Sequence, residues 1–222
     1  MEEKEGENMV TFIIVRHGFS AFNKEKKFTG QMDVPLDEAG LEQAAETAAY
    51  VLKTYEIDAV YSSDLCRAYD TAKPVAEALG LSVQTTKQLR EMHLGVWEGM
   101  SFDEVKEKYP EKYALHKENV GLSRPTGGEN YAELTERALA EIHKIALEND
   151  EKTVMIATHG GVVRALRCSW LSIPLTEMKN VPHVTNASVT VAEYDPSTRV
   201  ASLPVIGYDG HLGNKATEWK LS

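Results

Sequence analysis

Apolar and polar positions along the chain fall into two alternating rhythms. Val10 to Val15 is a β-branched and aromatic run that predicts a buried strand, and it ends at Arg16-His17-Gly18. After a polar stretch, Pro35-Leu36-Asp37 opens a helix whose Leu41, Ala44, Ala45, Ala48, Ala49 and Leu52 recur at helical spacing as one apolar stripe. Ile57 to Tyr61 predicts a second strand, closed by Ser62-Ser63-Asp64, residues suited to capping a helix. The helix behind them puts Leu65, Ala68, Ala72, Val75, Ala76 and Leu79 on one face and stops at Gly80. Pro74 lies inside it and should kink or split it. Leu81 to Thr85 gives a third strand. From Lys87 to Gly128 the pattern is less regular, with one short helix at Phe102 to Lys108 ended by Pro110. Tyr131, Leu134, Ala138, Ile142 and Ile145 mark the buried side of a long helix. Thr153 to Thr158 follows as a strand, then a helix to about Leu171, and Ala187 to Glu193 with Val200 to Ile206 form a closing strand pair.

Strands alternating with amphipathic helices imply a three-layer α/β/α sandwich, mostly parallel, with an antiparallel edge. No repeat, low-complexity linker or composition break divides the chain. Residues 9–222 therefore read as a single domain with a cap-like segment at about 99–128, and residues 1–8 as a disordered acidic tail.

Composition narrows the function. A formal net charge of −10 argues against a sequence-independent grip on nucleic acid, which needs a basic surface. A protein this acidic must concentrate positive charge locally to bind an anion. No segment approaches a membrane span, and the N-terminus lacks the apolar stretch of a signal peptide, so the expectation is a cytoplasmic protein without a membrane partner. Cys66 and Cys168 are isolated, which suggests neither a disulfide nor a zinc site. The apolar side chains within residues 162–182 suit either the core or the face of a homodimer.

In a doubly wound sheet the functional crevice lies at the carboxyl ends of the strands. One strand end delivers Arg16 and His17, another Ser62-Ser63-Asp64 with Arg67 in the helix's first turn, and a third Thr158-His159-Gly160. Arg67 is placed against the positive end of its helix dipole, unfavourable by roughly 0.3–1 kcal/mol unless an anion binds there. Taken alone it could equally pair with Asp64 or reach solvent. Of the seven histidines, only His17 and His159 end an apolar strand and are followed directly by glycine. His93, His116, His143, His183 and His211 read as surface or structural. Two arginines and two histidines at one rim suit a phosphoryl group, since the guanidinium fork matches phosphate oxygens. With that many cationic donors no metal or cofactor is required, and a histidine can serve as covalent nucleophile. The neighbouring arginines favour its neutral form. Glu91 follows the third strand and can supply the leaving group's proton, although by itself it is one glutamate among many.

Arg16-His17-Gly18-Phe19-Ser20-Ala21-Phe22-Asn23 resembles the RHGxxxxN signature of the histidine phosphatase, or phosphoglycerate mutase-like, superfamily. The resemblance runs from about Val10 to about Ile206. Phe28 to Leu36 is similar to the family's substrate-side loop, and Ser62 to Ala68 to its second arginine motif. Leu89 to Gly99 resembles its acid loop, and Thr158-His159-Gly160-Gly161 its second-histidine motif. The resemblance implies that His17 forms a phosphohistidine and that Glu91 is first general acid and then base. It implies that Arg16, Arg67 and His159 bind the phosphoryl oxygens, supported by Asn23 and the backbone at Gly160, with Thr29 and Gly30 as substrate contacts. The expected partner is a small phosphorylated metabolite.

Hydrolysis and mutase chemistry share the phosphohistidine step. The compact stretch after Gly99, with Phe102-Asp103-Glu104-Val105 and Arg124-Pro125-Thr126-Gly127-Gly128-Glu129, looks like the family's broad-specificity and α-ribazole phosphatases. Asn130 stands where those enzymes commonly have serine. The expectation is a phosphatase, with a phosphoglycerate mutase as the alternative. Tyr208, His211 and Lys215 could fold over the pocket and favour that alternative. A non-catalytic phosphate-binding domain would lack the chemical set present here. A metallo-hydrolase using His17 and His159 as ligands would suffer repulsion of its cation by two arginines.

Overall fold

Six strands form one sheet in the order β3-β2-β4-β1-β5-β6 in a computed structural model that describes residues 9–216. The proposed tail at residues 1–8 lies outside the described residues, as do residues 217–222. β1 (Val10–Arg16), β2 (Ala59–Ser63), β3 (Val83–Thr86) and β4 (Thr153–Thr158) are parallel. β5 (Val189–Asp195) and β6 (Val200–Tyr208) add the expected antiparallel edge.

Both faces of the sheet are covered, as β1 shows. Phe12 and Ile14 pack in one core with Leu134, Ile142 and Ile145 of α6 (Tyr131–Glu148) and Val163 and Leu166 of α7 (Gly160–Trp170). Ile13 and Val15 point the other way, toward Ala48 and Val51 of α2 (Glu38–Thr54) and Ala72, Val75 and Ala76 of α3 (Cys66–Leu79). This alternation, apolar on both sides, is what a parallel sheet between two helical layers requires. The apolar residues of 162–168 are consumed by the first of these cores.

Register carries the functional consequence. Arg16 pairs with Thr158 and Ser62 with Ala157, so the residues that follow leave the sheet together at the carboxyl ends of its strands. The His17 amide still donates to Thr158 O at 2.8 Å. The loop after β1 then lies backbone-to-backbone on α2: a Cβ on Gly40 would sit 1.9 Å from Phe19 O. Only glycine permits that approach.

Four details differ from the sequence reading. The buried face of α2 is Gly40, Gln43, Ala44, Thr47, Ala48 and Val51, whereas Leu41 is 54% exposed. Polar residues take the buried face because they bond other segments: Gln43 Oε1 accepts from Phe19 N, and Thr47 Oγ1 donates to Ala187 O. Pro74 does not split α3, which runs unbroken to Leu79 and its left-handed Gly80 cap. α4 (Phe102–Lys108) stops before Pro110 as expected, but Pro110 also opens a second helix, α5 (Pro110–Glu118), where a missing N–H is tolerated. Between β1 and α2, α1 is the single turn Ala21–Lys24. Finally, Tyr208, His211 and Lys215 do not cover the pocket. His211 stacks on Tyr50 and meets Thr47 Oγ1 at 2.9 Å, while Lys215 pairs with Glu42 and Glu46, all on α2.

Candidate active site

His17 is buried at the tip of β1, 5% exposed. Its Nδ1 lies 2.7 Å from Gly18 O. A carbonyl oxygen only accepts, so Nδ1 carries the proton and Nε2 keeps its lone pair. Asn186 Nδ2 donates to both His17 O and Gly18 O and fixes the carbonyl that orients the ring. Burial, then the charges of Arg67 and Arg16, hold the imidazole well below its usual range, so it is neutral.

Arg16 donates to Val184 O, and burial lowers its guanidinium to about 10, with Glu91 opposing the shift. It is still a cation at neutral pH. Arg67, 1% exposed, donates to Met32 O and Gly30 O at 2.8 Å, while its buried Nε has no partner. Asp64 does not claim it. That carboxylate holds Arg90 instead, through two contacts of 2.6 Å. The charge of Arg67 therefore stays available at the head of α3, where burial pushes its pKa down.

His159 caps α7 behind His17, edge to ring with centroids 5.1 Å apart. It is fully buried against His17, and the next residue, Gly160, lines the cavity. Its Nε2 meets Ser63 Oγ at 2.9 Å, and its Nδ1 has no partner. Burial and Arg67 keep this ring neutral too. Ser63 read from sequence as a capping residue; its placement on the His159 ring appears only when β2 and β4 are paired.

Glu91 reaches the same rim from the connection after β3. Oε1 accepts from Met92 N at 2.8 Å and Oε2 from Gly161 N at 3.0 Å, so its carboxylate is held at two points. Asn23 turns its carbonyl oxygen back to Ser20, leaving the amide NH2 as its donor end. Asn23, Thr29, Gly30 and Gly160 line one cavity of about 250 Å³ with Arg16, His17, Arg67 and Glu91. The structure thus assembles every candidate residue at one place, His159 through its contact with His17.

The cavity also contains residues that sequence reasoning left out. His116 and His183, assigned to surface or structural roles, both line it, as do Tyr131 and Arg164. Arg164 was the legible signal: a cation inside the apolar run Val162-Val163-Arg164-Ala165-Leu166. Among the described residues, no group of three or more His, Cys, Asp or Glu side chains is placed to hold a metal ion. None of the described helices is long and apolar enough to cross a membrane.

A buried neutral histidine facing two guanidinium groups and a carboxyl defines a phosphoryl-transfer site. Residues 12–205 match the model of the histidine phosphatase superfamily, branch 1, and the chain belongs to that family. It is 35% identical over 193 residues to a metal-independent phosphoserine phosphatase of Arabidopsis thaliana, covering 86% of this chain and 79% of that one. It is 30% identical over 197 residues to a glucosyl-3-phosphoglycerate phosphatase of Mycolicibacterium vanbaalenii, covering 83% and 87%. The solved structure of Bacillus stearothermophilus YhfR superposes with a TM-score of 0.86 at 30% identity, covering 91% of this chain and 99% of that one.

Two outcomes are expected. A Cβ on Gly161 would lie 2.1 Å from Glu91 Oε1, the end of a movable side chain. Gly161→Ala should therefore displace the acid, lowering kcat by about 10–100-fold with a melting temperature little changed; unchanged turnover would contradict the assigned contact. Second, His17, His159 and His183 are held well below the ordinary histidine range and His116 is lowered to about 4, each chiefly by burial. Below pH about 6.5 the unfolded chain takes up protons that the folded one refuses, so stability is lost as pH falls. Thermal melting should decline already between pH about 6.5 and 5.5, more shallowly in His116→Gln. A flat curve across that interval would contradict the neutral-histidine account.

Proposed function

We propose that the enzyme hydrolyses small phosphomonoesters by way of His17. The activity is that of a phosphoric monoester hydrolase acting without a metal, and the phosphohistidine route is general to the family. One observation supports the residue roles most strongly. Nδ1 of a neutral His17 is tied to Gly18 O, which directs the Nε2 lone pair to attack. In the first step Nε2 bonds to phosphorus and the ester P–O bond breaks. The leaving oxygen takes the proton of a protonated Glu91. Arg16 and Arg67 match the charge on the equatorial oxygens, with His159 Nδ1–H and the Asn23 amide as further donors. In the second step water attacks phosphorus, Glu91 accepts its proton, and inorganic phosphate leaves with His17 neutral again.

The relatives' names specify phosphoserine and glucosyl-3-phosphoglycerate as their substrates, both phosphate esters of small molecules. Hydrolysis rather than return of the phosphoryl group is favoured by the position of residues 208–215, which lie on α2 and leave the cavity uncovered. An acidic chain with two free cysteines fits the reducing cytoplasm. The expected partner is a phosphorylated metabolite, and a homodimer is not needed to complete the site.

Purified protein should hydrolyse p-nitrophenyl phosphate and an alkyl phosphate in the presence of chelator, and His17→Ala should abolish both activities. Glu91→Gln should lower kcat about 100–10,000-fold on the alkyl ester; on p-nitrophenyl phosphate, whose leaving group needs no proton, it should spare the first-turnover burst of p-nitrophenol and slow the steady state that follows. Inactivation by chelator, or turnover retained in His17→Ala, would overturn the assignment.

A further inference from the structure

Arg164 stands apart from the other cations of the cavity. It follows His159 by five residues in α7, is 5% exposed, and its neighbours Val162, Val163, Ala165 and Leu166 are core residues. Nη2 donates to Met178 O and Nη1 lies 3.2 Å from His183 Nε2, while the buried Nε has no partner. Among the described residues the arginines that pair with carboxylates are Arg90, Arg124 and Arg137, none of which lines this cavity. A buried guanidinium without a counter-charge is strongly unfavourable.

The groups around Arg164 cannot supply that charge. His183 and His116 are kept neutral by burial and by Arg164 itself, and burial pushes the Tyr131 hydroxyl up to about 12. Among the described residues Glu91 is the single acidic side chain on the cavity wall, and its two oxygens are held by the Met92 and Gly161 amides, not by Arg164. Arg16 and Arg67 together match one phosphomonoester dianion. The charge of Arg164 is then left over. Lys179 extends the excess toward the mouth, on the 3-10 turn Leu175–Asn180 whose Met178 carbonyl binds Arg164.

We propose that Arg164, with Lys179 at the mouth, forms a second anion subsite, and that the substrate is a phosphomonoester whose alcohol portion carries a carboxylate or a second phosphate. The proposal rests on the reading of Arg16, Arg67 and His17 as the phosphoryl nest. A planar guanidinium binds either anion through paired N–H donors. The cavity of about 250 Å³ lies just below the usual range of roughly 300–1,000 Å³ for small-molecule sites, which suits a compact substrate whose two charges are a few atoms apart.

Matched substrate pairs at fixed ionic strength test this. 3-Phosphoglycerate against glycerol 3-phosphate, and phosphoglycolate against 2-hydroxyethyl phosphate, isolate a carboxylate. Fructose 1,6-bisphosphate against fructose 1-phosphate isolates a second phosphate. The expected result is a kcat/KM preference of at least about tenfold for the doubly anionic member of one class, falling below about threefold in Arg164→Met and partly recovered in Arg164→Lys. A wild-type ratio within about twofold for every pair overturns the subsite without need of any variant, as does a preference that survives in Arg164→Met. p-Nitrophenyl phosphate, with no second anion, reports separately on the His17 chemistry. Its turnover alongside flat ratios sinks the subsite alone, whereas its absence sinks the phosphatase reading.

Discussion

The hydrogen bond from His17 Nδ1–H to Gly18 O is the constraint on which the site depends. It fixes the tautomer, and with it the nitrogen able to attack. Its force comes from the surroundings: were the ring protonated, both nitrogens would be donors and no nucleophile would remain. Burial comes first in keeping it neutral, with Arg67 and Arg16 adding repulsion. The same two cations that bind the phosphoryl oxygens thus also keep the attacking ring uncharged.

Holding that arrangement takes much of the fold. The register of β1 against β4 sets His17 beside His159, and Ser63 arrives from β2 to meet the His159 ring. Asn186, just before β5, bonds the carbonyls of His17 and Gly18. The near contact of Gly40 with Phe19 seats the nucleophile loop on α2. Each is a backbone or short side-chain contact between elements far apart in sequence, which is how a strand-end site is made rigid without a metal.

These long-range contacts also mark the limit of what could be read from residues alone. The six strands and the principal helices were legible because β-branched runs and helical apolar spacing are local signals. The nest itself was legible because Arg16, His17, Arg67 and His159 all follow strands, and parallel strands end together. The buried face of α2 was misread because Gln43 and Thr47 are buried through bonds to Phe19 and Ala187, partners that no helical periodicity reveals. The helix that Pro110 begins was missed because the same residue that stops α4 also starts α5, and its side chains form no apolar stripe. His116 and His183 gave no pattern at all: they reach the cavity from α5 and from the loop that leads to β5, brought in by tertiary packing around Arg164.

The central claim is that the phosphoryl group passes through one particular nitrogen. The most direct measurement is to quench turnover of a ³²P-labelled substrate within milliseconds, map the labelled peptide, and determine which ring position carries the phosphate. The account predicts acid-labile phosphate on Nε2 of His17. Phosphate on Nδ1, on His159, or on any other residue would contradict it.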